Sequence, residues 1–319
     1  MTFDLHGVAV EVRSNRSDLL ALVARRLQFF AGAPAVRPEA RFELQATEAH
    51  VVSPPAVTTR TVYEPETGEV LYDEGEDELY VDYGQVRALC RLGRGEVLVS
   101  VLEPVAEAAW AATRPLFTLP LLELLKRRSV YSVHAAGVSS GQHAVVIPGG
   151  SGAGKTTLAL ALVRGGFDFL GDDMLFLSRD GGGPLLLAFP DELDVSETTA
   201  SFFPDVVGAL RRERLPGAVK RQLPANRLPG EVAERARPAV LLFPRIEAGG
   251  RSRVEPLTRD EALLELAPNV LLTEPASSQL HLDALGGLVR GSRCFRLSVA
   301  RDFDDVVEVV GGLVSGTAT

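Results

Sequence analysis

The spacing of apolar and polar positions divides the chain into two stretches with different periodicity. Before residue 103 most apolar runs have a period of two, which is typical of half-buried strands. One run with helical spacing interrupts them at residues 17–30, with Ser17 as the expected N-cap and Gly32 past the end. Beyond residue 129 short apolar runs alternate with helical ones, which favours a mixed α/β arrangement.

The first stretch predicts a small domain built mainly from strands. The strands are expected at residues 8–12, 41–46, 59–64, 78–83, 85–91 and 97–102, the last four forming a meander. A Pro-Glu-Thr-Gly turn is predicted at residues 65–68, and the acidic run 73–78 is interpreted as a solvated hairpin end. Residues 106–128 are helical in pattern, and Pro115 and Pro120 predict two short helices or one kinked helix. We therefore expect an α+β domain over residues 1–128.

The second stretch, residues 129–319, predicts strands that alternate with helices. Strands are expected at residues 131–138, 144–147, 167–177, 239–243 and 294–299, and a Gly-Gly-Gly-Pro turn at residues 181–184 predicts a hairpin. Helices are expected after residue 155, at residues 259–266 and 278–288, and from an N-cap at Asp302 to Leu313. Residues 191–237 have weak periodicity and are rich in proline, arginine and acids, so we interpret them as a mobile substrate loop.

A glycine-rich turn joins the strand at residues 144–147 to the helix that follows. Residues 149–156 match the G-x-x-x-x-G-K-[ST] pattern of a P-loop, or Walker A motif. Glycines let backbone amides turn toward phosphate oxygens, the lysine supplies a positive charge, and the threonine hydroxyl is a ligand for Mg²⁺. The residues assigned to nucleotide binding are Gly149, Gly150, Ser151, Gly152, Ala153, Gly154, Lys155, Thr156 and Thr157.

Two adjacent acids, Asp172 and Asp173, interrupt the apolar run that follows the helix. Burying a carboxylate is costly unless a cation or hydrogen-bond donors meet it. Next to a P-loop, the pair is best explained by Mg²⁺ and by a reacting hydroxyl, although solvated acids at a strand end remain an alternative.

A family resemblance is carried by three spaced elements. These are His134 ahead of the loop, the loop itself, and the Gly-x-x-x-x-x-Asp-Asp run at residues 166–173. Together they resemble the catalytic domain of HPr kinase/phosphorylase and its related kinases, whose nucleotide fold is shared with phosphoenolpyruvate carboxykinase. The resemblance implies that Asp172 serves the metal together with Thr156, and that Asp173 takes the proton of the acceptor hydroxyl. It also implies an orienting or phosphate-contacting role for His134, for which a satisfied core histidine on a strand is an equally good interpretation.

The chain departs from that family at other positions. HPr kinase has Lys-Ser-Glu where this chain has Lys-Thr-Thr at residues 155–157, which is closer to the carboxykinase pattern. The acidic residue expected shortly after the aspartate pair is replaced by Leu-Phe-Leu at residues 175–177. Phosphorolysis and the HPr protein as acceptor are therefore not expected, whereas ATP binding and phosphoryl transfer are.

Charge and composition limit the classes of partner. The chain has 33 basic and 42 acidic residues and a net charge of −9, which disfavours a nucleic-acid partner. The candidates for contact with the transferring phosphate are Lys220, Arg221, Arg227 and, at a strand end, Arg245, which we also count as catalytic together with Lys155. Surface charge is an equally good interpretation of the first three.

Location follows from two further patterns. Cys90 and Cys294 lie in strand-like apolar contexts without metal or redox spacing, as expected for reduced core residues of a cytoplasmic protein. The sequence has neither a signal-peptide pattern nor an apolar run of about 18 residues, so we expect no membrane association.

These patterns lead to one hypothesis with two alternatives. We expect an α/β fold with a P-loop core of the HPr kinase/phosphoenolpyruvate carboxykinase type over residues 129–319, preceded by a domain that recognises substrate or partner. The expected activity is Mg²⁺-dependent transfer of the γ-phosphoryl group of ATP to a serine of a protein or peptide, which the family resemblance extends to ribosomal peptide precursors. The alternatives are a kinase of free serine or a similar small molecule, and a nucleotide-binding regulator or ATPase. A homo-oligomer is left open.

Overall fold

The computed structural model describes residues 1–32, 37–55, 59–63, 68–180, 182–212, 214, 218–247, 249–270, 272–273 and 275–316. The chain divides into two compact units. The first comprises Met1–Arg128, Glu213–Val219 and Leu272–Ser278, and the second comprises Ser129–Arg212, Lys220–Leu271 and Gln279–Thr319. No helix among the described residues is long and apolar enough to cross a membrane.

The first unit contains one curved layer of strands. Its elements are β1 (Thr2–Leu5), β2 (Val8–Ser14), α1 (Ser17–Arg26), β3 (Ala40–Thr47), β4 (Thr59–Tyr63), β5 (Glu69–Asp73), β6 (Glu78–Asp82), β7 (Val86–Arg91), β8 (Glu96–Leu102), α2 (Val105–Thr113) and α3 (Pro115–Lys126). The described strands pair in the order β1-β2-β3-β8-β7-β6-β5-β4, with β2, β3 and β8 parallel to one another.

The predicted meander is present but contains a strand that the sequence pattern missed. Strand β5 pairs with β6 to form the hairpin whose end carries the acidic run, so the hairpin interpretation is confirmed. The alternation in β5 is short, and its buried residues Val70 and Tyr72 are separated by only one position. Residues 64–67, which include most of the turn predicted at residues 65–68, lie outside the described part of the chain.

Helices α2 and α3 cover one face of this sheet. Thr113 and Pro115 are the boundary residues of the two helices, which confirms the expectation of two short helices, and Pro120 lies inside the second. The ring of Phe117 in α3 lies 4.5 Å from that of Phe42 in β3, both fully buried. The expected cap at Ser17 is wrong, because Ser17 is already helical and the N-cap Arg16 makes no side-chain capping bond.

A buried ion pair lies at the end of α3. The Lys126 ammonium is 2.7 Å from the Glu123 carboxylate, and neither side chain is exposed to solvent. The Thr273 hydroxyl accepts a hydrogen bond from Lys126 at 3.3 Å and donates one to Glu123 at 2.5 Å. The two opposite charges and the hydroxyl therefore satisfy one another inside the first unit.

The second unit has a central sheet with helices on both faces. Its strands are β9 (Tyr131–Val133), β10 (Ala135–Ser140), β11 (His143–Pro148), β12 (Asp168–Gly171), β13 (Leu175–Asp180), β14 (Gly183–Leu187), β15 (Leu193–Val195), β16 (Arg221–Leu223), β17 (Arg235–Ile246), β18 (Arg253–Pro256) and β19 (Arg293–Val299). Its helices are α4 (Lys155–Arg164), α5 (Glu197–Phe202), α6 (Arg259–Leu266), α7 (Pro275–Gly291, of which residues 275–278 belong to the first unit) and α8 (Phe303–Ser315).

Parallel strands in the middle of this sheet set the position of the site. Strand β17 lies between β11 and β19 and is parallel to both, so all three end at the same edge. Alternate residues of β11 face opposite layers: Val145 and Ile147 pack with α4 and α8, whereas Ala144 and Val146 pack with α6 and α7. A strand covered on both faces reads as a continuous apolar run, which is how residues 144–147 appear in the sequence.

Two strands expected to be continuous are each broken by a turn. The prediction of a strand through His134 is wrong, because β9 ends at Val133 and β10 begins at Ala135. The run at residues 167–177 also breaks, with Asp172 and Asp173 between β12 and β13. The physical reason is a change of partner: β9 pairs with β13, whereas β10 pairs with β11 and β12.

Residues 191–237, interpreted from their weak periodicity as a mobile substrate loop, contain regular secondary structure. They contain β15, β16, α5 and short 3-10 turns at Pro204–Ala209 and Ala225–Arg227. Leu193, Phe203 and Leu223 are buried in the core on the α4 side of the sheet. Their elements are only three to six residues long, too short for a periodic signal.

The last part of the chain largely follows its pattern. Helix α6 has the predicted bounds, α7 is longer than predicted, β18 was missed, and the hairpin of β13 and β14 is present, although Gly181 of its turn is outside the described residues. Asp302 precedes α8 but does not cap it, because its carboxylate accepts hydrogen bonds from the Ser252 amide and hydroxyl. Cys90 and Cys294 are both buried and free, as expected.

Candidate functional site

The glycine-rich loop at residues 149–154 connects β11 to α4 at the edge where the parallel strands end. Gly149, Gly152 and Gly154 have φ values of 151°, 80° and 92°, in the region that favours glycine. A Cβ on Gly149 would also lie 3.0 Å from that of Ala153. The first helical bond runs from the Leu158 amide to the Gly154 carbonyl, so the amides of residues 155–157 have no intrahelical acceptor and are available to an anion, whereas the Ala153 amide donates to the Gly150 carbonyl.

Lys155 is the first residue of α4, and its side chain is only 5% exposed. Its ammonium donates to the carbonyls of Gly149 at 2.8 Å and Gly150 at 3.2 Å. The nearest carboxylate oxygen, from Asp173, is 3.9 Å away. Burial lowers the pKa of Lys155, and the charges of Asp173 and Asp172 oppose that shift. A phosphate placed against the loop would complete the neutralisation of this buried cation.

His134 connects the two strand breaks. Its Nδ1 lies 2.8 Å from the Asp173 carbonyl, which can only accept, so Nδ1 carries the proton. Nε2 is then a lone-pair acceptor for the Lys155 ammonium 3.1 Å away. The ring borders the cavity, yet the protein around it removes water and lowers the pKa of His134, and the charge of Lys155 lowers it further. A neutral imidazole therefore holds the Lys155 side chain and the Asp173 backbone in fixed positions.

Thr156 and Asp172 meet below the loop. The Thr156 hydroxyl donates to Oδ2 of Asp172 at 2.8 Å. The other oxygen, Oδ1, is buried and has no hydrogen-bond partner in the described part of the chain. Burial raises the pKa of Asp172 to about 7, the charge of Asp173 raises it too, and the Thr156 hydrogen bond opposes the shift. A buried carboxylate with an orphaned oxygen is a position at which a cation would remove an energetic cost.

These two residues fit a magnesium ion that also binds phosphate. Mg²⁺ prefers oxygen ligands and is usually held by one or two protein groups plus water and substrate phosphates. Thr156 and Asp172 supply two such oxygens beside the first turn of α4. No group of three or more His, Cys, Asp or Glu side chains among the described residues is arranged to hold a metal, so an all-protein cage is absent from that part of the chain.

Asp173 differs from its neighbour in every respect. Its backbone has φ of 65°, a left-handed conformation that costs energy in a non-glycine residue and often marks a functional site. Its side chain is 52% exposed and lines the cavity, whereas Asp172 is buried. Consecutive residues of a regular strand face opposite ways, but Asp172 and Asp173 lie between two strands, and the Asp173 side chain is accessible from the cavity.

A cavity of about 1010 Å³ opens over the loop. One part of its wall is charged or polar, formed by side chains that include His134, Asp173, Asp194 and Lys220. Another part is apolar and aromatic and comes from the ends of β17 and β19 and from α5 and α8. Its side chains are those of Phe202, Ile246, Val299, Ala300 and Phe303, and the charged side chain of Arg301 lies over Phe202.

Most of these wall residues were missed by sequence reasoning. They come from segments far apart in sequence, and only the shared edge of the parallel strands brings them to the loop. The one available signal was general: ligands bind beyond the carboxyl ends of parallel strands. That rule points to the residues after the strands predicted at 239–243 and 294–299, whereas α5 lies in the segment 191–237 that was interpreted as a substrate loop.

The structure brings some of the predicted residues to the cavity and leaves others outside. Lys220 lines it, whereas Arg221 donates to the Arg211 carbonyl and Arg227 to the Ala209 carbonyl. Arg245 lies outside the cavity wall, with its guanidinium 3.5 Å from Glu265.

Thr157, assigned to the nucleotide from the motif, has its hydroxyl engaged elsewhere. It lies 2.9 Å from the Thr199 hydroxyl, which is 3.0 Å from that of Ser196. Ser196 is the N-cap of α5 and accepts from the Thr199 amide. The Thr157 side chain therefore ties the first turn of α4 to α5.

Neither a protein-family model nor a curated protein matches the chain. Among solved structures, the chain is similar to the Hpr(Ser) kinase/phosphatase from Coxiella burnetii, with a TM-score of 0.29 and 11% sequence identity. The match covers 58% of this chain and 94% of that one. Conclusions about this chain therefore rest on its own geometry.

Proposed function

We propose that the protein is an ATP-dependent phosphotransferase that moves the γ-phosphoryl group to a hydroxyl acceptor. One observation carries the proposal: two adjacent aspartates at the loop are separated into a buried one and an accessible one. Asp172 hydrogen-bonds Thr156 and keeps one oxygen orphaned, whereas Asp173 lines the cavity within 3.9 Å of Lys155. A nucleotide switch needs only one acid for its metal, whereas phosphoryl transfer to a hydroxyl uses a second carboxylate as base.

The loop and Lys155 hold the phosphates. Backbone amides at the start of α4 and the helix dipole favour negative charge at that point. When phosphate arrives, the Lys155 ammonium exchanges its carbonyl contacts for charge-assisted bonds to phosphate oxygens, which are shorter and stronger. His134 keeps the ammonium close to the loop during that exchange because its Nε2 offers a neutral acceptor.

Thr156 and Asp172 are the residues that would hold Mg²⁺. Bound there, the ion would neutralise charge that develops on the phosphate oxygens during transfer. Asp172 must be ionised for this role, and its pKa of about 7 in the unliganded protein means that metal binding releases protons below that pH.

Asp173 accepts the proton of the incoming hydroxyl. Its exposed carboxylate faces the cavity, and its backbone is fixed by the hydrogen bond from His134 to its carbonyl. Lys220, in the same part of the wall, is positioned to offset the negative charge of the transferring group. The acceptor we propose is a serine hydroxyl in a protein or peptide.

The test uses γ-labelled ATP with Mg²⁺ and separate candidate acceptors: serine-containing peptides and free serine. We expect Asp173→Asn to retain Mg-ATP binding and to lower the transfer rate by about 10² to 10⁴-fold, as loss of a general base does. Asp168→Asn is the matched control, because Asp168 is a partly buried aspartate on β12 that does not line the cavity. Asp172→Asn should instead weaken the Mg²⁺ dependence of nucleotide binding.

The outcomes separate the alternatives. Transfer to free serine but not to peptides indicates a small-molecule kinase, and phosphate release without labelled acceptor indicates an ATPase or regulator. Normal transfer by both aspartate variants would overturn the phosphotransferase proposal.

We further propose that the first unit recognises the acceptor. Both described cavities are formed by residues of the second unit, so the chemistry has no evident need of the first. Hydrogen–deuterium exchange on the full chain tests this: an acceptor peptide should protect amides in β1–β8. Protection limited to the second unit contradicts the assignment.

A further inference from the structure

The two parts of the cavity wall differ in the ligand chemistry they suit. The part near Lys155 carries charged groups, which suit phosphates and a hydroxyl that must approach Asp173. A nucleobase is flat, uncharged and aromatic, and burying it requires apolar or π surfaces. The aromatic part of the wall offers those surfaces beside the same loop.

The rings of Phe202 and Phe303 are held in place by the core. Their centroids are 5.4 Å apart, and Phe303 also lies 5.1 Å from the buried Phe203. Both rings are partly buried and pack against the core on the α4 side of the sheet. Their positions are therefore set before a ligand arrives, which reduces the entropy lost on binding.

Arg301 adds a third planar group. Its guanidinium carbon lies 5.6 Å from the centre of the Phe202 ring. No carboxylate among the described residues lies within salt-bridge distance of Arg301, so that part of the structure leaves its charge to the ring and to any ligand. Guanidinium planes stack on bases as they do on aromatic side chains.

Ile246 and Val299 complete an apolar floor. They are the last residues of β17 and β19, and the Ile246 side chain would lie 3.6 Å from a Cβ on Gly154. Ile246 is 67% exposed and lines the cavity, so a ligand above the loop would cover its side chain.

We infer that Phe202, Phe303 and Arg301 form the base-binding end of the nucleotide site and give it a preference for purine over pyrimidine nucleoside triphosphates. The inference rests on the proposed function. The base continues the Phe202–Arg301 stack with its edge over Ile246, and because the larger ring system of a purine covers more of that surface, it binds more tightly.

The experiment measures dissociation constants of ATP, GTP, CTP, UTP and inorganic tripolyphosphate by calorimetry in the presence of Mg²⁺. The wild-type chain should bind both purine nucleotides more tightly than the pyrimidine nucleotides, and all four more tightly than tripolyphosphate. Phe202→Leu and Arg301→Gln should each weaken ATP by about fivefold or more, since stacking of one base on one side chain contributes about that much or more. Tripolyphosphate affinity should stay the same.

Arg164→Gln is the matched control. Its guanidinium lies over Phe203 at 5.1 Å, but Arg164 does not line the loop cavity, so ATP affinity should not change. Equal weakening of ATP and tripolyphosphate by the Phe202 and Arg301 variants, or no purine preference in the wild type, would overturn the base site. Absence of all binding to the wild type would overturn the proposed function together with it.

Discussion

Two buried lysines show how the same side chain serves different purposes in the two units. Lys126 contacts Glu123 at 2.7 Å and Thr273 at 3.3 Å, and its charge is neutralised within the first unit. Lys155 is almost as buried, yet its close partners are two carbonyls and the neutral His134, and the nearest carboxylate stays at 3.9 Å. A buried cation that contacts a carboxylate already has its charge neutralised, whereas a buried cation without such a contact can have its charge neutralised by an anionic ligand.

The acids beside these lysines differ in the same way. In the described residues both oxygens of Glu123 have partners, whereas Oδ1 of Asp172 has none. We therefore expect the first cluster to stabilise the fold and the second to cost stability that ligand binding returns.

The largest effect is expected from Lys126→Met. Removing one member of a buried pair leaves Glu123 as an uncompensated charge, which costs about 3–5 kcal/mol of the free energy of unfolding. Denaturant unfolding at pH 7 measures it. The double variant Lys126→Met/Glu123→Leu should recover most of the loss, and failure to recover would show that packing rather than charge is responsible.

Asp172→Asn should raise the free energy of unfolding, in contrast to Lys126→Met. The pKa of Asp172 is raised from 3.8 to about 7 in the folded protein, so the unfolded state ionises first and the native state loses stability as pH rises from about 4 to 7. The variant should therefore be more stable than the wild type at pH 8 without Mg²⁺, by about 4 kcal/mol. The difference should vanish near pH 4. A stability gain that is independent of pH would contradict the ionisation account.

Lys155→Met sharpens the contrast between the lysines. We expect the free energy of unfolding to change by less than about 1 kcal/mol, because no carboxylate lies in contact with the ammonium and would lose its partner. ATP affinity should fall about 100-fold, because the charge-assisted bonds to phosphate are lost. Calorimetric titration with Mg-ATP measures the affinity. Lys126→Met, studied at a temperature where it remains folded, should bind ATP normally.

The smallest effects are expected from two threonine changes of the same kind. Thr273→Val and Thr156→Val each remove a hydroxyl that donates to a buried carboxylate. Each variant should lower the free energy of unfolding by about 1–2 kcal/mol. Only Thr156→Val should also raise the Mg²⁺ concentration needed for nucleotide binding, and an equal Mg²⁺ effect from Thr273→Val would remove the distinction between the clusters.

The sequence predicted those parts of the fold whose signals are local. The loop glycines, Lys155 and Thr156 lie on eight consecutive residues, and α6 carries its own capping box between Thr258 and Glu261. Both kinds of signal depend on neighbours within one turn, so a linear pattern reveals them.

The parts that were missed depend on distant partners. His134 leaves its strand because β9 and β10 pair with different strands, and the turn at Asp173 occurs at the corresponding position of the opposite run. The aromatic wall comes from α5 and α8, and helix α5 has only six residues, from which no periodicity can be read. The sequence therefore pointed to the loop, to the aspartate pair and to the segment 191–237, but not to the cavity side chains at the ends of β17 and β19 and in α8.

The ribosome makes the chain from its N-terminus, so the contact between Glu123 and Thr273 can form only late in synthesis. The two residues are separated by 150 positions, and Leu272–Ser278 belongs to the first unit. At about 5–20 residues per second, Thr273 emerges roughly 8–30 s after Glu123. During that interval Glu123 and Lys126 lack the hydroxyl that links them, so the first unit reaches its final hydrogen bonding only when most of the second has left the ribosome.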